Sequence, residues 1–235
     1  MRPHYLFLFV FVLLLSACQR DKHNYKAVVP SPGFDVHLYF NLFNGSPFYL
    51  VYYKDTKIMN WSRLGFDPAI DATGDQRMVF GGGNGDAAIG KDSGDGGASF
   101  FKDLKYNERS VCLSYEQDTG LAYTIDFRAF NGGVAFRYRF DTESAKRALL
   151  RNERTEFNLN DKDISWEVRA QADTTRQQQD GYPLPVELMS DRYHTIAISE
   201  YATPDTQALR VRQQADSSMA FTLLNSALDM DCLLY

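Results

Sequence analysis

Leu121-Ala-Tyr-Thr-Ile-Asp-Phe-Arg-Ala-Phe-Asn-Gly-Gly-Val-Ala-Phe-Arg-Tyr-Arg-Phe140 is the stretch that decides the fold. Leu121, Tyr123, Ile125 and Phe127 alternate with Ala122, Thr124, Asp126 and Arg128. After the turn residues Asn131-Gly132-Gly133, Phe136, Tyr138 and Phe140 alternate with Arg137, Arg139 and Asp141. A period of two marks a strand with one buried face. The stretch therefore predicts a hairpin with one apolar side and one side that is wet or meets a polar partner.

Working outward, the same pattern recurs almost everywhere. Asp35 to Leu42 alternates Val36, Leu38, Phe40 and Leu42 against Asp35, His37, Tyr39 and Asn41. Asn44-Gly-Ser-Pro47 then turns the chain into the β-rich run Phe48 to Tyr53, a second hairpin. Further strands are predicted at Arg77 to Phe80, Ser110 to Tyr115, Thr155 to Leu159, Ser165 to Ala170, Pro185 to Met189, Thr195 to Ser199, Leu209 to Arg212 and Met219 to Leu224. Only Thr142 to Asn152 reads as helix. Many short strands with turn signals at close intervals predict an all-β sandwich.

The N-terminus sets the compartment. Arg2 and His4 precede the apolar run Leu6 to Leu15 and then Ser16-Ala17-Cys18. This is an export signal, too short for the roughly twenty residues that a retained transmembrane helix needs. Leu15-Ser16-Ala17-Cys18 resembles a bacterial lipobox. The division expected is a signal peptide over 1–17, lipidation at Cys18, a polar tether over 18–30 and one sandwich domain over 31–235. The chain would then be a bacterial lipoprotein anchored through Cys18 at the periplasm or cell surface.

Composition excludes several classes. The chain carries 25 Lys and Arg against 30 Asp and Glu, a net charge of -5 of mixed sign throughout, with no basic patch for nucleic acid. Apart from Cys18, only Cys112 and Cys232 remain; they either pair in an oxidising compartment or stay as separate buried thiols. The glycine-rich stretches at 81–86 and 92–97 read as a loop. Gly83-Asn-Gly85-Asp-Ala-Ala88 lacks the strand and helix of a dinucleotide site, and the carboxylate spacing misses the calcium loop of an EF-hand. No nucleophile elbow is present. Trp61, Trp166, Tyr49, Tyr52, Tyr53 and Tyr138 have aromatic faces suited to stacking on sugar rings, although core packing is the commoner fate of such residues. His37 is expected on the outer face of its strand. His194 with Glu200 would be the acid–base pair of a small mutarotase-like enzyme if the fold brought them together.

The order of segments resembles the N-terminal domain of glycoside hydrolase family 97. The resemblance rests on Ser31 to Leu42, Gly45 to Tyr53, Ser62-Arg-Leu-Gly-Phe66, Phe127 to Phe140, Thr155-Glu-Phe-Asn158, Trp166 and Ile196-Ala-Ile-Ser-Glu200, from about Ser31 to about Arg212. Ser199 stands where the family usually has His. The resemblance implies a β-supersandwich of the galactose-mutarotase-like, carbohydrate-binding type, placed before a (β/α)8 barrel that carries the catalytic carboxylates. It implies exported, calcium-dependent α-glucosidases or α-galactosidases, inverting or retaining by subgroup. It also implies that Glu200 helps hold the calcium at the barrel mouth. A carboxylate at a strand end is anchored by the ladder behind it, and calcium takes six to eight oxygens, so the remaining ligands would come from the barrel. Asp191 and Asp205 are weaker candidates beside it. The function expected is a non-catalytic part of such a hydrolase, with the catalytic barrel missing. The alternative is a stand-alone carbohydrate-binding or scaffolding surface lipoprotein.

Overall fold

The computed structural model describes residues 22–67, 77–82, 88–91, 105–115, 122–140, 153–169, 181–191, 195–199, 210–214 and 219–224. These residues form sixteen strands and, among them, no helix. The all-β sandwich expected from alternation is what the structure contains. The helical reading of Thr142 to Asn152, the signal over 1–17, Cys18 and Cys232 lie outside the described residues.

The first sheet is an antiparallel meander of β1 (Tyr25–Pro30), β2 (Val36–Phe43), β3 (Ser46–Tyr53) and β4 (Thr56–Arg63). Asn44 and Gly45 join β2 to β3 with φ of 47° and 75°, the two positive values that a type I′ hairpin turn demands. Residues 25–30, expected at the end of the tether, are corrected to a strand. β1 pairs with β2 from Tyr25↔Leu42 to Pro30↔His37, burying Ala27 and Val29. The polar lead into this strand hid its inward positions, Ala27 and Val29 with the partly buried Tyr25.

The second sheet contains β5 (Met78–Gly82), β6 (Ala88–Lys91), β7 (Lys105–Tyr115), β8 (Ala122–Phe130) and β9 (Gly133–Phe140), in the order β5-β7-β8-β9 with β6 also on β7. Its inner face packs on the inner face of the first sheet. Phe40 meets Phe127 at 5.3 Å between ring centroids, and Tyr49 meets Phe136 at 5.4 Å. Each such ring is worth about 1.5–3 kcal/mol when fully buried.

A third sheet runs β10 (Glu156–Asn158), β16 (Ala220–Leu224), β15 (Arg210–Gln213) and β12 (Tyr182–Pro183). The fourth is β11 (Trp166–Arg169), β13 (Val186–Ser190) and β14 (Thr195–Ile198). Leu188, Ile198, Val211 and Phe221 from these two sheets join the same hydrophobic cluster as Phe40 and Phe127. The seam between the first and third sheets lies at β4 and β10. Met59 bridges Leu159, the Asn160 amide donates to the Ile58 carbonyl at 2.9 Å, and the Asn158 amide donates to Ser62 Oγ at 2.9 Å.

Candidate functional site

Glu200, His194 and Asp205 lie outside the described residues, so the strand leading to Glu200 is what can be placed. Among the described residues that strand, β14, pairs only with β13, with Val186↔Ile198 and Glu187↔Ala197 in register. Ile198 is buried and Ser199 exposed. Asp191 is engaged elsewhere: its Oδ1 accepts from the Ser165 amide at 3.3 Å and its own amide donates to the Ser165 carbonyl at 3.0 Å. Among the described residues no group of three or more His, Cys, Asp or Glu converges. The described donor set therefore does not make a calcium site, because a cation that takes six to eight oxygens is not held by scattered single carboxylates.

The polar side expected for the hairpin is real, and its organisation comes from cross-strand register. Register places Ser110 opposite Asp126 and Asp126 opposite Arg137 across β7, β8 and β9. Asp126 is almost sealed, with 3% of its side chain accessible, while Arg137 and Arg139 are 56% and 53% accessible. Its carboxylate accepts from Ser110 Oγ at 2.7 Å, from Arg137 Nε at 3.0 Å and from Arg139 through both Nε and a terminal nitrogen, the latter at 3.0 Å. Two arginine side chains form the lid, so the seal is thin. Burial alone would raise this carboxyl, but the hydrogen bonds from Arg139, Ser110 and Arg137 outweigh it and hold the group below its ordinary value. Beside it Arg128 pairs with Glu108 and lies over the Tyr106 ring, 4.3 Å from its centroid. The arginines are donors only, so they bind oxygen atoms and take no part in proton transfer.

Inside the sandwich a second polar chain runs from backbone to carboxylate. The Gly65 amide donates to Tyr138 Oη at 2.8 Å, Tyr138 Oη bonds Thr155 Oγ1 at 2.8 Å, and Thr155 Oγ1 donates to Glu153. Because Thr155 spends its proton on Glu153, Tyr138 is the donor to Thr155. Burial raises Glu153 above its ordinary value, and burial likewise raises Tyr138, Tyr123 and Tyr49. Phe66, Tyr123 and Phe140 ring this chain at centroid distances of 5.0 to 6.5 Å from one another and from Tyr138. Sealed hydroxyls that stay protonated hold the fold at this point.

Sequence reasoning missed both arrangements. Summing positions outward from the two-residue turn at Asn131-Gly132 would have paired Asp126 with Arg137. No local signal joins Gly65 to Tyr138 or Thr155 to Glu153. The aromatic candidates separate cleanly: Tyr49 and Trp166 are core, with Trp166 Nε1 donating to the Asn160 carbonyl at 3.1 Å. Tyr52, Tyr53 and Tyr138 are half-buried, and Trp61 is 46% exposed. Cys112 is half-buried with a free thiol on β7.

Residues 29–223 match the family model described as Glycosyl-hydrolase 97 N-terminal. Three solved structures show the same fold. A glycoside hydrolase family 97 enzyme from Pseudoalteromonas sp. strain K8, as a single-site variant in complex with panose, is similar at TM-score 0.61 and 21% identity. The same enzyme in complex with acarbose is similar at TM-score 0.61 and 21% identity. Both comparisons cover 84% of this chain and 31% of that one. A beta-arabinopyranosidase is similar at TM-score 0.59 and 18% identity, covering 84% of this chain and 35% of that one. The chain thus spans about a third of the length of these structures. No match was found among functionally curated proteins.

Proposed function

The chain belongs to the glycosyl-hydrolase 97 N-terminal family, and on that premise we propose that it is the non-catalytic, carbohydrate-binding sandwich domain of a family 97 glycoside hydrolase acting on α-glucosides or α-galactosides. Its partner is a catalytic barrel, and Glu200 lends that barrel's active site one calcium ligand. The observation that carries this reading is the match of residues 29–223 to the N-terminal domain specifically. Of the described carboxylates, Asp126 is saturated by its donors and Glu153 accepts from the Thr155 hydroxyl. Calcium would supply charge at the sugar site; the role left to this chain is to position one of its oxygens. Export and anchoring through Cys18 complete the reading.

The test mixes the purified chain with the separately produced barrel of a family 97 enzyme and follows hydrolysis of nitrophenyl α-glucoside and α-galactoside. No turnover is expected from the chain alone. Turnover that needs calcium is expected from the mixture, and it should be lost with Glu200→Gln. Hydrolysis by the chain alone would overturn the proposal. A mixture as active with the Gln variant as without it would remove Glu200 from the calcium shell.

A further inference from the structure

The large apolar side chains that the described residues expose are Val28, Phe34, Phe43 and Trp61, at 40%, 67%, 63% and 46%. They are not scattered. Val28 lies opposite Tyr39 in the β1–β2 ladder, on the side away from the core residues Ala27 and Val29. Phe43 shares the outward parity of His37 and Tyr39 along β2. Trp61 stands two residues before Arg63, which lies opposite Phe48, so both belong to the outer face of β4. Phe34, in the β1–β2 turn, reaches this face through its ring contact with His37 at 6.5 Å, and the contacts continue from His37 to Tyr39 at 6.4 Å and from Tyr39 to Tyr52 at 5.7 Å. Leu50, opposite Tyr39, is buried yet belongs to no part of the inner core cluster. One side of one sheet therefore carries an apolar layer of its own.

Phe34 also bears backbone strain. Its φ is 59°, a left-handed value that is unusual for a bulky residue. The turn is pinned from three sides: the Phe34 amide donates to the Ser31 carbonyl at 3.0 Å, Ser31 Oγ accepts from the Val36 amide at 3.0 Å, the Gly33 amide donates to Asn131 Oδ1 at 2.7 Å, and the Lys54 amide donates to the Asp35 carbonyl. The strain is not repaid by burial of the ring. Outliers of this kind collect at functional surfaces.

Charge says what covers the face. The four strands YKAVVP, VHLYFNLF, SPFYLVYY and TKIMNWSR contain Lys26, Lys57 and Arg63 and not one Asp or Glu, in a chain whose net charge is -5. Lys57 lies opposite Tyr52 and Arg63 opposite Phe48, so cations stand among the rings. Bare Phe and Val offer a sugar no hydrogen bond, whereas apolar side chains mixed with Lys, Arg and Trp suit the headgroup and upper acyl region of a bilayer. The expected lipid on Cys18 is seven residues before Tyr25, a reach of at most about 25 Å for an extended chain.

We propose that the outer face of β1–β4 lies on an anionic phospholipid surface, with Phe34, Phe43, Val28 and Trp61 entering the interface and Lys26, Lys57 and Arg63 meeting headgroup phosphates. The proposal rests on the reading that the chain is membrane-anchored at Cys18, and its test separates the two. Of the two tryptophans, Trp166 is buried and Trp61 is on the face, so tryptophan emission reports the contact. The chain from residue 18 onward is placed on vesicles of phosphatidylglycerol and phosphatidylethanolamine with brominated acyl chains, both as the lipidated protein and as Cys18→Ala.

Trp61 emission should shift to the blue and be quenched in both forms. The Cys18→Ala form should bind at least tenfold more weakly in Phe34→Ser/Phe43→Ser and in Lys26→Glu/Lys57→Glu, and lose its affinity as salt is raised. Phe34→Gly should weaken binding while leaving the thermal midpoint unchanged or higher, because it removes both ring and strain; a merely structural phenylalanine would lower that midpoint. A lipidated protein that stays on vesicles with Trp61 unquenched would overturn the face and leave the anchor standing. A mature protein without diacylglyceryl whose Cys18→Ala form still binds would overturn the anchor and leave the face. A Trp61 shift produced by maltoheptaose and not by vesicles would make the face a sugar platform and overturn the proposal.

Discussion

Replacing Asp126 by Ala removes the acceptor of four hydrogen bonds, three of them from Arg137 and Arg139. Breaking a deeply buried ion pair typically costs about 3–5 kcal/mol, because the surviving charge is stranded away from water. Here the survivors are more than half accessible, at 56% and 53%, and hydrate freely once released. Two exposed pairs are then worth about 0.2–1 kcal/mol each. The Ser110 bond adds about 1 kcal/mol. The expected loss is therefore about 2 kcal/mol, or roughly 4–8 °C in thermal midpoint for a chain of this size.

The pH dependence of that loss follows from the direction in which Asp126 is shifted. Its carboxyl is held below its ordinary value in the fold, so the stability it contributes is present above the unfolded value of about 3.9 and is lost as pH falls through the folded value. Urea unfolding of both proteins should show the full difference at pH 7 and its disappearance only on the acid side of pH about 4. A difference of 4 kcal/mol or more, or one unchanged between pH 7 and strong acid, would refute the thin-lid account.

Three further substitutions test the interior. Gly65→Ala should cost about 2 kcal/mol or more by thermal melting, because Gly65 has φ of 94° and a Cβ there would collide with the Tyr123 hydroxyl. Phe127→Ala, at a fully buried ring between Phe40 and Phe136, should cost about 3–5 kcal/mol in urea unfolding. Glu153 is shifted upward by burial, so its ionisation works against the fold as pH rises above the unfolded glutamate value of about 4.3. Glu153→Gln keeps an oxygen for the Thr155 hydroxyl, and its melting temperature should not show the decline that the parent shows from pH 4 toward neutrality.

The hairpin was legible because alternation, a two-residue turn and burial agree from Ala122 to Phe140, except at Asp126, an outward residue that its arginines cover. β4 was not, because register shifts near Val51 put Ile58 and Met59 both in the core and break the period of two. The short β6 and β12 are likewise absent from the pattern, one inside glycine-rich sequence and one of only two residues. Of the candidate site, the polar side of β9 was legible, but the carboxylate beneath it required the neighbouring strand.

What the sequence determined by itself is what depends on neighbours a few positions apart: the all-β class, most strands, which of their faces turn inward, and the segment order that marks the family. Tertiary structure decided what depends on residues far apart along the chain. It joined β4 to β10 across about a hundred residues, set Tyr138 between Gly65 and Thr155, and gathered Val28, Phe34, Phe43 and Trp61 on one side of a sheet. Alternation states that a side chain faces in or out, and only the register and stacking of strands state which others it meets there.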